Sequence, residues 1–270
     1  MKEFLKQQVG LKNDNLQKRS IIREYLQARI LQMLQDNGIF LNWAFLGGTA
    51  LRFLYALPRY SEDLDFSMVD TSINCDFEKV LGGIINTFNS ENYTVNITTP
   101  KKKTVMSAFI KFPGIFFEMG CSPRIEEVLS IKIEVDTNPP EGAETETTII
   151  RRFVTVNVNH YSKSSLLAGK LHAILSRQYT KGRDLYDFVW YLSDPLWPNP
   201  NLVLLNAALV QTGWKGPVLT KENWRRVLAE RMSVLDWKSV KNDLVPFLER
   251  HEDLLLVSQE NCIKLLLSDG

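Results

Sequence analysis

Two pairs of residues near the start of the chain could do phosphate and metal chemistry: Gly47-Gly48 and Asp63/Asp65. The glycines stand in Phe45-Leu46-Gly47-Gly48-Thr49-Ala50-Leu51-Arg52, just ahead of a short helical stretch. Glycine lets a backbone approach a phosphate closely, and a helix N-terminus offers unpaired N–H groups to it. Thr49 could cap that helix or donate its hydroxyl to a phosphate. A tight turn without ligand remains the alternative. Asp63 and Asp65 lie two residues apart, so on a strand they share a face. Two carboxylates so placed repel each other unless a cation neutralises them. Mg2+, or Mn2+ in its place, takes oxygen ligands and couples carboxylates to substrate phosphates. Two such ions could activate an attacking hydroxyl and stabilise a departing pyrophosphate, with a nucleoside triphosphate as substrate. A solvated edge strand with chance acids is the competing reading. Leu64 and Phe66 oppose it, because they anchor the other face. Arg59 and Ser61 precede the strand and could contact phosphate or tie down the loop; a structural salt bridge suits Arg59 equally well.

A second group lies far downstream. Lys170 interrupts an apolar helical pattern made by Leu166, Leu167, Leu171, Ile174 and Leu175. An ammonium there must snorkel or find a negative partner. A phosphate is one candidate and Asp184 another. Arg183-Asp184-Leu185-Tyr186-Asp187-Phe188 opens the next helix, where Asp184 can satisfy free N–H groups. Asp184 and Asp187 are three apart and share a helix face. Arg177 and Lys181 could extend a positive rim for phosphate or RNA, against the plainer reading of a solvated charge cluster.

Taken together, Gly47-Gly48-Thr49-Ala50-Leu51-Arg52 and Arg59-Tyr60-Ser61-Glu62-Asp63-Leu64-Asp65-Phe66 resemble the motifs of the AbiEii/AbiGii nucleotidyltransferase toxins. That family lies within the wider DNA polymerase β-like nucleotidyltransferase superfamily and is similar to the MenT toxins. Residues 170–188 resemble its downstream motif, a lysine in one helix and Arg-Asp-x-x-Asp opening the next. The resemblance implies that Asp63 and Asp65 bind metal and that Gly48 and Thr49 lie near the triphosphate. It further implies catalytic or nucleotide-contacting roles for Lys170 and Asp184, with Asp187 orienting Arg183 or a neighbouring helix. Polymerase β-like folds also place a third carboxylate on a neighbouring strand; Asp136 is the candidate, with Glu134 behind it. The implied reaction transfers a nucleoside monophosphate to an acceptor hydroxyl. The first acceptor to consider is tRNA and the second a protein hydroxyl, in a bacterial toxin–antitoxin or phage-defence setting with a separately encoded antitoxin. An aminoglycoside-type enzyme acting on a small molecule is one rival. A non-catalytic nucleotide- or protein-binding module is the other, and the retained acidic pair argues against it.

The elements that must position these groups can be read from periodicity. Residues 17–34 read as an amphipathic helix closed by Asn37-Gly38. A short apolar segment, 39–46, leads into the glycines, and 49–57 forms a helix that Pro58 stops. Helical spacing returns at 77–88. Strands are expected at 93–97, 104–112 and 130–136, where Ile131, Ile133 and Val135 alternate with Lys132, Glu134 and Asp136. A loop at 138–142 precedes a strand pair or one bent strand over 148–158. Beyond Tyr161 the pattern turns helical: 164–178, 184–192, 202–211, 221–232, 237–249 and 252–267, with Pro246 disturbing the fifth. The expected fold is therefore α/β: a polymerase β-like core with a mixed sheet over 1–160, then a helical part over 161–270 contributing to the same cleft. Trp197, Trp214, Trp224 and Trp237 could stack on bases, although packing is the simpler role.

Composition sets the outer limits. The 270 residues are 44% hydrophobic and 23% charged, enough for a sizeable core. Thirty-two basic and 31 acidic residues leave a net charge of +1, so no whole-chain field steers nucleic acid. Three widely spaced cysteines argue against a disulfide framework or zinc site and fit a reducing cytoplasm. His160, His172 and His251 have no metal-ligand spacing. The polar start lacks a signal-peptide pattern, and no apolar run is long enough for a membrane span.

Overall fold

A computed structural model describes residues 2–73, 75–100 and 105–267. In chain order the elements are α1 (Lys2–Gly10), α2 (Asn15–Asp36), β1 (Trp43–Leu46), α3 (Gly47–Tyr55), β2 (Leu64–Met68), α4 (Phe77–Ser90), β3 (Asn96–Thr98), β4 (Val105–Pro113), α5 (Ile115–Glu118), β5 (Val128–Asp136), β6 (Thr145–Arg152) and β7 (Val154–Tyr161), followed by α6 (Lys163–Ser176), α7 (Gly182–Leu192), α8 (Leu202–Gln211), α9 (Trp224–Ser233), α10 (Trp237–Leu244) and α11 (Gln259–Leu267). The chain forms two units. The first comprises Met1–Leu54, Glu62–Asn138 and Thr147–His160; the second comprises Tyr55–Ser61, Pro139–Glu146 and Tyr161–Gly270. A boundary at His160/Tyr161 coincides with the change from mixed to helical pattern. The short segments 55–61 and 139–146 belong with the helical unit, which a single cut at 160 does not foresee.

The first unit carries a seven-stranded mixed sheet in the order β3-β4-β5-β2-β1-β7-β6. Strand β1 runs antiparallel to β2 and parallel to β7, β2 is parallel to β5, and β4 is antiparallel to both β3 and β5. The α/β class and mixed sheet expected from the sequence are therefore present. Strand β5 shows the expected alternation: Leu129, Ile131, Ile133 and Val135 are buried, and the intervening polar residues are half-exposed. Helix α2 starts where the Asp14 carboxylate accepts the Gln17 N–H at 2.9 Å and ends at Gly38, whose φ of +69° suits glycine. It buries Ile22, Leu26, Ile30, Leu31 and Leu34 completely. The same helix carries a polar stripe inward: Gln27 donates to the Glu62 carbonyl at 2.9 Å and Arg23 to the Ser130 carbonyl at 2.7 Å. These bonds hold the segment leading into β2 and the adjoining β5.

Several boundaries differ from expectation, each for a local reason. Helix α1 escapes the periodicity reading because Leu5 and Val9 alone anchor it among polar residues. After α4, Asn92 reverses the chain at φ +62° and Tyr93 packs inward, so β3 begins only at Asn96. Thr104, expected to open a strand, lies outside the described residues; β4 is described from Val105. Phe153, at φ +59°, divides the 148–158 segment into β6 and β7. Asp63 immediately precedes β2 rather than lying within it.

In the second unit the Ser162 hydroxyl accepts the Ser165 N–H and starts α6. Helix α7 begins at Gly182, where a Cβ would stand 2.1 Å from the Val240 carbonyl oxygen; only glycine permits this approach to α10. Asp243 on α10 accepts the Gly182 N–H at 2.8 Å. The expected helix at 237–249 stops at Leu244, and Pro246 directs a 3-10 turn over Val245–Phe247. The expected helix at 252–267 is two pieces, a 3-10 segment His251–Leu256 and α11. Val257 between them is extended, and the Ser258 hydroxyl accepts the Asn261 N–H at 3.2 Å. Trp224 is buried, and Trp197 packs edge-on against Tyr55, Trp190 and Tyr191, so both serve packing.

Candidate active site

Gly47 is where the first group of chemistry-bearing residues comes together. It follows β1 directly, and the β1/β2 register sets Leu46 beside Asp65. Its φ is +83°, and a Cβ built on it would lie 2.6 Å from the Asp65 Oδ2. The start of α3 therefore lies directly against one of the two carboxylates, an approach that any side chain at position 47 would block. Asp65 and Asp63 are half-buried, and the intervening Leu64 and following Phe66 are 0% and 2% exposed. The apolar residues fix the strand's buried face, and the two acids alternate away from it.

Thr49 has a different local role from the phosphate contact considered for it. It is 1% exposed and its hydroxyl donates to the Asp63 carbonyl, tying α3 to the residue before β2. Arg52, at the end of the glycine motif, is a contributor that pattern reading left without a role. Its guanidinium meets Glu24 of α2 at 2.6 Å, and Arg152 reaches the same carboxylate at 2.5 Å. Glu24 and Gln27 are almost fully buried. Their placement with Ser20 at helical spacing is the sequence signal that α2 turns a polar stripe toward the site-bearing elements. Arg23, on the same helix, has a lowered pKa because burial disfavours its charge, with Glu62 and Asp63 acting in opposition.

The two third-acid candidates take different places in the parallel β2/β5 register. Glu134 lies beside Asp65, whereas Asp136 lies beside Ser67. Glu134 is paired with Lys132, and Asp136 accepts the Asn138 N–H at 2.9 Å. Among the described residues no three His, Cys, Asp or Glu side chains form a group able to hold a metal ion.

The second group lies in the helical unit and is built around Asp187, which is fully buried. Arg59, 2% exposed, donates to both of its oxygens at 2.6 Å. Lys170 reaches the Oδ2 at 2.7 Å and the Asp184 Oδ1 at 3.2 Å. Arg177 completes the chain by pairing with the Asp184 Oδ2. The ammonium predicted to need a partner has two, and Asp187 is the closer. Arg59 takes the salt-bridge alternative, joining the 55–61 segment to α7. Asp187, expected to orient Arg183 or a neighbouring helix, binds Arg59 and Lys170. Arg183 lays its guanidinium 3.9 Å from the centre of the Phe247 ring. Ser61 is buried.

The electrostatics of this network are one-sided. Burial alone would lower the Lys170 pKa, but Asp187 and Asp184 outweigh it and leave it raised. Burial would raise the Asp187 pKa, and Arg59 and Lys170 outweigh it in turn, so the carboxyl is held low. Lys170 is therefore cationic at neutral pH and is not a proton acceptor. Arg59, Lys170 and Arg177 face Asp184 and Asp187, three cations to two carboxylates.

The family model described as nucleotidyl transferase AbiEii toxin, Type IV TA system, matches residues 29–256. No curated protein matches the chain in sequence. A solved structure of a nucleotidyltransferase candidate from H. pylori superposes with a TM-score of 0.54 at 18% identity, covering 92% of this chain and 91% of that one. JHP933 from Helicobacter pylori superposes with a TM-score of 0.52, also at 18% identity, covering 92% and 88%. At that identity the two structures speak for the fold. The family model spans both motif blocks and most of the chain, and the chain therefore belongs to the AbiEii family of nucleotidyltransferase toxins.

Proposed function

We propose that this protein is a metal-dependent enzyme that moves a nucleoside monophosphate from a nucleoside triphosphate onto an acceptor hydroxyl, with tRNA as the acceptor. Nucleotidyl transfer in a toxin–antitoxin system, with an antitoxin as partner, follows from the family. The metal, the acceptor, a cytoplasmic location and a phage-defence role are the finer reading. The observation that carries it is the contact geometry at Gly47: the absence of a side chain lets the Asp65 carboxylate lie directly against the N-terminus of α3. A phosphate seated on the Gly47-Gly48 turn would be adjacent to Asp65, and Asp63 and Asp65 are the residues that would hold a cation there.

The donor set fits such a cation. Asp63 and Asp65 supply hard oxygen ligands, and Mg2+ ordinarily completes its shell with substrate phosphates and water rather than an all-protein cage. When bound, the metal would supply charge neutralisation and Lewis acidity at the reacting phosphate. The chain's own groups do the rest. Gly47 and Gly48 present backbone to the triphosphate, and Thr49 keeps Asp63 in place. Glu134, beside Asp65, is the carboxylate to receive the acceptor's proton. The acceptor oxygen bonds to the α-phosphorus as the bond to the β-phosphate oxygen breaks, and pyrophosphate leaves. Within the helical unit, Asp184 and Asp187 hold the Lys170 ammonium in position, and Arg59 braces Asp187.

The test incubates purified protein with Mg2+, each labelled triphosphate in turn, and total tRNA. Label should move to tRNA with the wild type. It should fail to move with Asp63→Asn or Asp65→Asn while circular dichroism and melting stay close to wild type. Full transfer by either variant, or by the wild type in excess chelator, would overturn the metal assignment.

A further inference from the structure

The connection between α6 and α7, residues 177–181, is not used by the transfer reaction described above. It carries two basic side chains, Arg177 and Lys181, and no acidic one. The whole chain has a net charge of only +1, so this is a local concentration rather than a share of a general surplus. At the tip stands Tyr179, 80% exposed. A side chain that exposed adds almost nothing to the core.

The loop is fastened on both sides of that tyrosine. Arg231 of α9 donates to the carbonyls of Ile174 at 3.2 Å and Arg177 at 2.8 Å, and to the Thr180 hydroxyl at 3.5 Å. Beyond the tip, Asp243 holds the Gly182 N–H, and α10 packs against Gly182 so closely that no side chain fits. The tyrosine is thus displayed on an anchored loop, between an exposed arginine and an exposed lysine.

We propose that this loop is a contact site for single-stranded polynucleotide, with Tyr179 stacking on one base and Lys181 taking a flanking phosphate, while Arg177 on the other side is paired with Asp184. An aromatic face beside cations is how proteins hold unpaired nucleotides, because every base offers a π-face and every linkage a negative charge. The proposal rests on the transfer reading only in making the polynucleotide the acceptor. Binding itself needs neither triphosphate nor metal.

The experiment measures fluorescence anisotropy of a short labelled single-stranded oligoribonucleotide, without nucleotide, with inorganic polyphosphate as a baseless polyanion in parallel. Tyr179→Ala should weaken RNA binding at least about five-fold, the lower end of what one base–aromatic stack is worth. It should leave polyphosphate binding unchanged, and Tyr179→Phe should bind RNA like the wild type. Lys181→Ala should weaken both ligands and reduce the salt slope for RNA by about 0.7. Wild-type RNA affinity in Tyr179→Ala, equal losses for RNA and polyphosphate, or no RNA binding by the wild type would each overturn the proposal. A wild-type protein that binds RNA in this way but transfers no label would overturn the enzymatic reading alone and support the loop contact.

Discussion

Asp187→Asn is the sharpest test of the helical unit's charge network. The carboxylate is fully buried and accepts two hydrogen bonds from Arg59 and one ion pair from Lys170, all between 2.6 and 2.7 Å. Neutralising it leaves Arg59, 2% exposed, without its carboxylate, and leaves Lys170 with Asp184 at 3.2 Å. Breaking a buried pair by removing one partner costs about 3–5 kcal/mol, because the other charge remains desolvated. At roughly 2–4 °C per kcal/mol for a unit of this size, the melting temperature should fall by about 6–20 °C. Replacing both partners is a different perturbation, since a matched buried pair is often worth little against apolar groups of similar volume. Arg59→Met introduced into Asp187→Asn should therefore recover much of the loss. The assay is a double-mutant cycle by urea denaturation, with differential scanning calorimetry to follow each unit. A melting temperature for Asp187→Asn within about 2 °C of wild type would refute the reasoning. Additive effects of the two substitutions, with coupling below about 0.5 kcal/mol, would refute it as well.

Gly47→Ala should be costly in both stability and transfer. The φ of +83° alone costs a non-glycine residue about 1–3 kcal/mol, and the new Cβ would meet the Asp65 Oδ2 at 2.6 Å. Thermal melting and labelled-nucleotide transfer measure the two effects, and an alanine variant with wild-type transfer would remove Gly47 from the site. The pH dependence of stability should fall off at both ends. Asp187 has a lowered folded pKa, so its contribution is present above the unfolded value of about 3.9 and is lost as pH falls through the folded one. Lys170 has a raised folded pKa, so its contribution is full below about 10.4 and is lost as pH rises through the folded value. Melting temperatures across acid and alkali should show a plateau between these limits, with a shallower acid limb in Asp187→Asn. An unchanged acid limb in that variant would contradict the linkage.

Much of the molecule was legible from the chain alone, wherever the deciding interaction is local. The mixed-to-helical change near Tyr161, the alternation along β5 and the helix over 202–211 are periodicities of 2 and 3.6, and burial follows them directly. Gly47-Gly48 and Asp63/Asp65 stood out because glycine and paired acids are costly unless something requires them. Lys170 announced the need for a partner because its neighbours on the helix are leucine and isoleucine. Helix ends were less legible where a cap or a positive φ intervenes, as at Ser258 and Phe153.

Which groups meet was settled by tertiary structure. Arg59 and Asp187 are 128 residues apart, and no local pattern selects one partner for a buried guanidinium over another. The choice of Glu134 over Asp136 as neighbour of Asp65 depends on strand register, and a shift of two residues would reverse it without altering either strand's alternation. Thr49 could serve a phosphate or the backbone on sequence grounds; folding brought its hydroxyl to the Asp63 carbonyl. Residue types and spacing declare which groups need a partner or a close approach, because desolvation and backbone strain are properties of the local chain. The identity of the partner is a long-range packing outcome, and it is what made Arg59 an internal brace and Gly47 a close contact of Asp65.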